Sequence, residues 1–146
     1  MIVMLDFDGV LHPETVRSEE AFSSLPLLHE ILLARPSVRV VVTSDWRLRH
    51  ANEELVKFLF GNANELRDRF AGVTPVLPEC RWAYRGREQE VLAWLKANDS
   101  PDWLALDDVP GNYTFGSPKL YLTDYRTGLT QSDLPAILTR IPVSAR

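Results

Sequence analysis

The sequence predicts an α/β protein with a parallel sheet covered by helices on both faces. Three observations carry that prediction. Short apolar runs alternate with longer amphipathic stretches, the pattern of strand–helix–strand units. The runs are apolar at nearly every position, as expected of strands buried on both faces. Three of them stop at polar residues of complementary kind: Asp6 and Asp8, Thr43 and Ser44, Asp107 and Asp108. In a parallel sheet these ends share one edge, where open α/β folds place their ligands.

In chain order, the first strand is Met1–Leu5, which runs into Asp6-Phe7-Asp8-Gly9-Val10. Residues 11–18 read as a polar loop through Pro13, with His12 expected at the surface. Ser18, with Glu19 and Glu20 behind it, has the character of a helix start with acids in its first turn. Leu25, Leu28, Ile31, Leu32 and Leu33 supply an apolar face, and Pro36 stops the helix. His29 is expected on its surface. Val38–Val42 is the second strand, so the unit reads as βαβ with a right-handed crossover. Residues 46–60 predict one helix, packing through Leu48, Leu55, Val56, Leu59 and Phe60. A helical turn over Glu65–Phe70 and an extended return over 72–78 follow. Residues 87–97 predict the next helix and Trp103–Leu106 the third buried strand, which leads into Asp107-Asp108. Lys119–Thr123 is a fourth strand. Leu129-Thr130 opens a last helix with Leu134, Ile137, Leu138 and Ile141 as its apolar positions. No repeat or low-complexity segment divides the chain, so residues 1–146 are expected to be one domain.

Composition excludes several classes. Hydrophobic content of 45% and charged content of 25% over 146 residues are those of an ordinary globular domain. A net charge of −4 lacks the basic footprint of a stable nucleic-acid binder. The single cysteine, Cys80, precludes an internal disulfide and fits a reducing compartment. No apolar run reaches membrane-spanning length, and Met1–Leu5 is too short for a signal peptide. A cytoplasmic location and no membrane partner are expected.

The chemistry follows from the strand ends. Asp6 and Asp8 stand at i and i+2, so their side chains leave the strand in the same direction. Neighbouring carboxylates repel unless a cation neutralises them, and a hard, oxygen-preferring ion such as Mg2+ suits them. Phosphoryl transfer requires a nucleophile, a proton donor, donors to the phosphate oxygens and cations. The three strand ends supply all but a positive side chain.

Asp6-Phe7-Asp8-Gly9-Val10 resembles motif I (DxDGV/T) of the haloacid dehalogenase (HAD) superfamily. Val38–Thr43 resembles its motif II, and Ala105-Leu106-Asp107-Asp108 its double-aspartate motif IV. The resemblance implies Asp6 as the nucleophile that forms an aspartyl-phosphate and Asp8 as the general acid/base. It implies a phosphate-binding hydroxyl at Thr43, with Ser44 able to replace it. Mg2+ would be held by Asp6, the Asp8 carbonyl, Asp107 and Asp108. Motif III departs from the family, which places a lysine near the start of the helix before motif IV. Here Arg85-Gly86-Arg87 occupies that place, and Arg87 is the better positioned of the two arginines. The elements Leu-Asp-Phe-Asp-Gly-Val-Leu-His-Pro, Thr-Ser-Asp-Trp-Arg, Leu-Asp-Asp and Thr-Gly-Leu-Thr, in that order, are similar to small capless HAD domains associated with RNA repair proteins.

The expectation is a Rossmann-like, HAD-like hydrolase without a large cap, open enough for a large phosphorylated substrate. A nucleic-acid end, a nucleotide and a phosphoprotein all qualify. Arg47 and Trp46 follow motif II directly, and either could face the substrate: the arginine a phosphate, the indole a base. Between Trp46 and Arg87 eight basic residues meet five acids, which suits an anion or a solvated face equally. Two alternatives stay open: a catalytically weak or inactive phosphate-binding domain of this fold, and a receiver-like signalling module. The second fits less well, since only Asp45 ends a middle strand.

Overall fold

A computed structural model describes residues 1–15 and 20–143 of the chain. Five parallel strands form one sheet: β1 (Ile2–Leu5), β2 (Arg39–Val42), β3 (Phe70–Val73), β4 (Trp103–Asp107) and β5 (Leu120–Leu122). Their order is β3-β2-β1-β4-β5. The helices are α1 (Leu25–Ala34), α2 (Asn52–Phe60), α3 (Gly86–Ala97) and α4 (Leu134–Arg140). Because the chain moves outward from β1 to β3 and then returns to β4, the strand order reverses at β1. A crevice therefore opens at the carboxyl ends of β1 and β4.

Strand parity divides the core. Val3, Leu5, Val40, Val42, Leu104 and Leu106 face α1, α2 and α4, where Leu28, Ile31, Leu55, Leu59, Leu134 and Ile137 are buried against them. Ile2, Met4, Val41 and Ala105 face the other way, onto Val91 and Leu95 of α3 and onto Tyr113. Both faces are thus covered, which is why the strands are apolar throughout rather than alternating.

Three expectations change. The helix expected over 46–60 is two pieces, a 3-10 turn at Asp45–Leu48 and then α2. Ser44 Oγ accepts the Trp46 N–H at 3.2 Å and caps the turn, while Glu54 accepts the Ala51 N–H at 3.0 Å and starts α2 afresh. The extended return expected over 72–78 is a strand four residues long at 70–73, a fifth strand that ends before Pro75. Its pairing with β2 is irregular at Gly72 (φ +129°), beside the Trp94 ring. The expected surface residue His12 is fully buried. The helix start expected at Ser18 lies outside the described residues.

Among the described residues, the interval between Asp8 and Thr43 holds α1 and β2, and that between Ser44 and Arg87 holds α2, β3 and 3-10 turns. Neither interval forms a second sheet, so the crevice has no large cap. No helix among the described residues is long and apolar enough to cross a membrane.

Candidate active site

The crevice is a cleft of about 480 Å3 whose lining includes Asp6, Asp8, Ser44, Arg87, Asp108 and Asn112. Asp6 follows β1 directly, and its backbone N–H still pairs with Leu106 O on β4 at 3.1 Å. This pairing sets β1 and β4 in register, so Asp6 faces Asp107 and Asp108. One carboxylate oxygen from each of these three acids lies within 4.8 Å of the others. Gly9 makes the approach possible. It sits at φ +79°, and a Cβ there would collide with the Asp108 carboxylate.

Burial opposes the charge on this group. The Asp6 carboxyl is pushed well above the usual range by loss of water and by Asp107 and Asp108, with Arg87 opposing. Asp107 is fully buried and rises to about 7, chiefly through desolvation, although the Val109 N–H (2.8 Å) and Asn112 Nδ2 stabilise its anion. Asp108 also rises, through desolvation and nearby Glu14. Three crowded carboxyls with raised proton affinity and oxygen-only donors fit a hard divalent cation such as Mg2+.

Asp8 stands apart from the three. Its Oδ1 is bonded to His12 Nε2 at 2.7 Å and to the Trp46 indole N–H at 3.3 Å. The His12 bond is the largest influence on its carboxyl and holds it below the usual range. Among the described residues the carboxylates of Asp6, Asp107 and Asp108 come together, while Asp8, expected at the metal through its backbone carbonyl, turns its side chain to His12 and Trp46.

The two hydroxyls separate as well, because successive residues of an extended segment point to opposite sides. Thr43, the better match by position, continues β2 alongside Asp6 and is buried on the same side of the sheet, with Oγ1 lacking a partner among the described residues. Ser44 borders the cleft, and its Oγ accepts the Trp46 N–H.

The arginines take three different roles. Arg87, at the start of α3, lines the cleft and donates to Asp45 at 2.8 Å and to Glu90 at 3.4 Å. Arg47 does not offer itself to a phosphate. All five of its N–H donors are taken, by the carbonyls of Thr43, Ser44, Thr74 and Pro75 and by Glu90. It braces the ends of β2 and β3 against α3. Arg85 is absent from the cleft lining; it sits at φ +63° with its Nε on Glu88 at 2.6 Å and its backbone N–H on Gly111 O. Trp46 is half-buried, its indole N–H on Asp8 and its ring packed against Phe7, Phe22, Phe58 and His50, so its contacts are to the protein's own rings.

Several residues of the site escape sequence reasoning. Asn112 steadies Asp107, Thr123 Oγ1 holds Gly9 O at 2.6 Å, and Asp45 gathers Arg47, Arg81 and Arg87. Apart from the Asn112–Asp107 and Asp45–Arg47 pairs, these contacts join segments distant in sequence. His12 alone left a signal, a histidine four residues after Asp8. Cys80 reaches the cleft wall but joins no polar cluster.

Comparison with known proteins agrees with this geometry. Residues 2–134 match the family described as the HAD domain in Swiss Army Knife RNA repair proteins. No curated protein and no solved structure matches the chain. A parallel sheet with acids at the ends of its central strands, together with a family match over nearly its whole length, shows that this chain belongs to the HAD domain family of Swiss Army Knife RNA repair proteins.

Proposed function

We propose that the chain is a Mg2+-dependent phosphohydrolase working through an aspartyl-phosphate. The observation that carries this is the convergence of Asp6, Asp107 and Asp108 beside Asp8, Ser44 and Arg87 at one sheet edge. Bound to the three acids, Mg2+ would offset their repulsion and the charge of the phosphate. An Asp6 oxygen attacks phosphorus in line as the bond to the leaving oxygen breaks. That oxygen keeps the bonding pair and takes a proton from Asp8. A dianionic phosphate seated beside Asp8 raises its proton affinity by like charge, opposing the effect of His12. In the second step Asp8 accepts a proton from water as the water oxygen bonds phosphorus and the Asp6–phosphorus bond breaks. Ser44 and Arg87 hold the phosphate oxygens in both steps.

The proposed substrate is a phosphorylated nucleic-acid end or a nucleotide. The uncapped cleft leaves room for a long chain. Its rim carries Trp82, 88% exposed, with the Arg81 guanidinium 4.8 Å from the ring centre, and Tyr84 beside it. Exposed rings next to arginine suit a base attached to a phosphate. A phosphoprotein would use the phosphate pocket alone.

The test is a panel of RNA and DNA 3′- and 5′-phosphates, nucleotides, a phosphopeptide and a plain aryl phosphate, each with Mg2+ and with EDTA. Turnover with Mg2+ that disappears in Asp6→Asn is expected. One specific observation favours a domain that binds phosphate without turnover: arginine replaces lysine at motif III and is already ion-paired. Phosphate binding without turnover of any substrate would select it.

A further inference from the structure

Asp8, the proton donor of the proposed reaction, is bonded to a buried histidine, His12. His12 has no exposed surface, and both of its ring nitrogens are engaged. Its Nδ1 accepts the Phe22 backbone N–H at 3.0 Å, so Nδ1 carries no proton and the ring hydrogen sits on Nε2. That hydrogen points at Asp8 Oδ1, 2.7 Å away. The Trp46 indole N–H reaches the same oxygen at 3.3 Å.

The surroundings hold this arrangement in place. Phe22 adopts φ +62°, a left-handed conformation that is an outlier for a bulky side chain, and its N–H is the donor to Nδ1. The Phe22 and Trp46 rings pack on the imidazole with centroids 5.3 and 5.9 Å away. Gly128 closes from below, where a Cβ would press on the His12 carbonyl at 3.1 Å. Two donors on Oδ1 leave Oδ2 as the Asp8 oxygen able to carry a proton.

Resting on the phosphohydrolase chemistry proposed above, we infer that His12 is a positioning residue for proton transfer. Its Nε2–H, with the Trp46 N–H, occupies Asp8 Oδ1 so that Oδ2 alone gives the proton to the leaving oxygen and takes it back from water. His12 itself neither gains nor loses a proton in either step.

The test compares the intact protein with His12→Gln, which can keep a donor near the Nε2 position, His12→Phe, which fills the space without one, and Trp46→Phe. Each is assayed with Mg2+ on an aryl phosphate, whose leaving oxygen hardly needs a proton, and on an alkyl phosphate, whose leaving oxygen does. General acid catalysis contributes about 10²–10⁴-fold, so His12→Phe should lose roughly 10–100-fold more kcat on the alkyl ester than on the aryl ester. His12→Gln should recover most of that difference, and Trp46→Phe should show a smaller one. Equal losses on both esters in all three variants would overturn the inference while leaving the phosphohydrolase proposal standing. A wild-type protein inactive on every ester would instead remove that proposal, and the positioning role with it. If His12→Phe does not fold, His12→Gln and Trp46→Phe still decide. Nitrogen NMR of the imidazole gives a readout independent of activity: the Nε2–H tautomer is expected, and the Nδ1–H tautomer would refute the arrangement.

Discussion

Gly9 shows how one residue brings the acids together. Its positive φ and missing Cβ admit the Asp108 carboxylate against the backbone between Asp6 and Val10. Gly9→Ala should therefore lose stability twice over, through backbone strain of about 1–3 kcal/mol and through the clash. Gly116→Ala, at φ +74° with open space around it, should suffer the strain alone. Urea titrations of the two variants give the comparison, and equal losses would mean that Asp108 moves aside freely. Asp6 carries the opposite lesson, because function here strains the fold. Its carboxylate is buried beside Asp107 and Asp108, so Asp6→Asn should melt at a higher temperature than wild type without divalent ions while losing turnover. A lower melting temperature for Asp6→Asn would show that Arg87 outweighs both burial and repulsion.

At the scale of elements, the start of α3 and the turn after β2 share one ion-pair cluster in which Asp45 and Glu90 hold Arg47, Arg81 and Arg87. The three arginines should respond differently. Arg47→Ala removes a buried brace and leaves Glu90 with Arg87 and the Leu77 N–H alone, so the loss should stay at or below the roughly 3–5 kcal/mol of a buried pair broken on one side; thermal melting measures it. Arg87→Ala should keep more of the stability and lose about 10²–10³-fold in kcat/KM, the usual scale for removing a preorganised donor to a developing charge. Arg87→Lys should retain much of the activity. Arg81, stacked on Trp82 at the rim, should affect KM for a nucleic-acid substrate, and salt should shrink that effect. Arg85 is turned onto Glu88, so Arg85→Ala should leave kcat/KM unchanged on small and large substrates alike. A loss confined to Arg85→Ala would move the motif III role to it.

For the whole molecule, the acid cluster couples stability to pH and to metal. The folded state raises the Asp6, Asp107 and Asp108 carboxyls above their unfolded values. Below about pH 4 both states hold these protons. Above it the unfolded chain releases them first, so the folded state binds more protons and stability falls with rising pH. For Asp107 the loss continues to about pH 7 and then levels off. Asp8 and Asp45, whose carboxyls are held low, act with the opposite sign at more acid pH. Without divalent ions, the free energy of unfolding should be greater at pH 5 than at pH 8. Saturating Mg2+ should stabilise the pH 8 protein more than the pH 5 protein, since binding displaces protons. Urea unfolding at both pH values, with and without Mg2+, tests this; equal Mg2+ effects at the two pH values would argue against the metal site.

Part of this protein is written in local sequence. Fully apolar runs can only be strands or helices buried all round, so β1, β2 and β4 were legible. So were the acids at their ends and Arg87 at the start of α3. Residues 70–73 were less so, because Phe-Ala-Gly-Val has little strand character and becomes β3 through pairing with β2. The division of 46–60 depends on Ser44 and Glu54 satisfying backbone N–H groups, a competition that apolar spacing cannot register. Arg47 as a brace and His12 as a buried partner of Asp8 were decided by tertiary structure alone. Each depends on which carbonyl, ring or carboxylate a distant segment brings within hydrogen-bond reach, and no spacing along one chain encodes that.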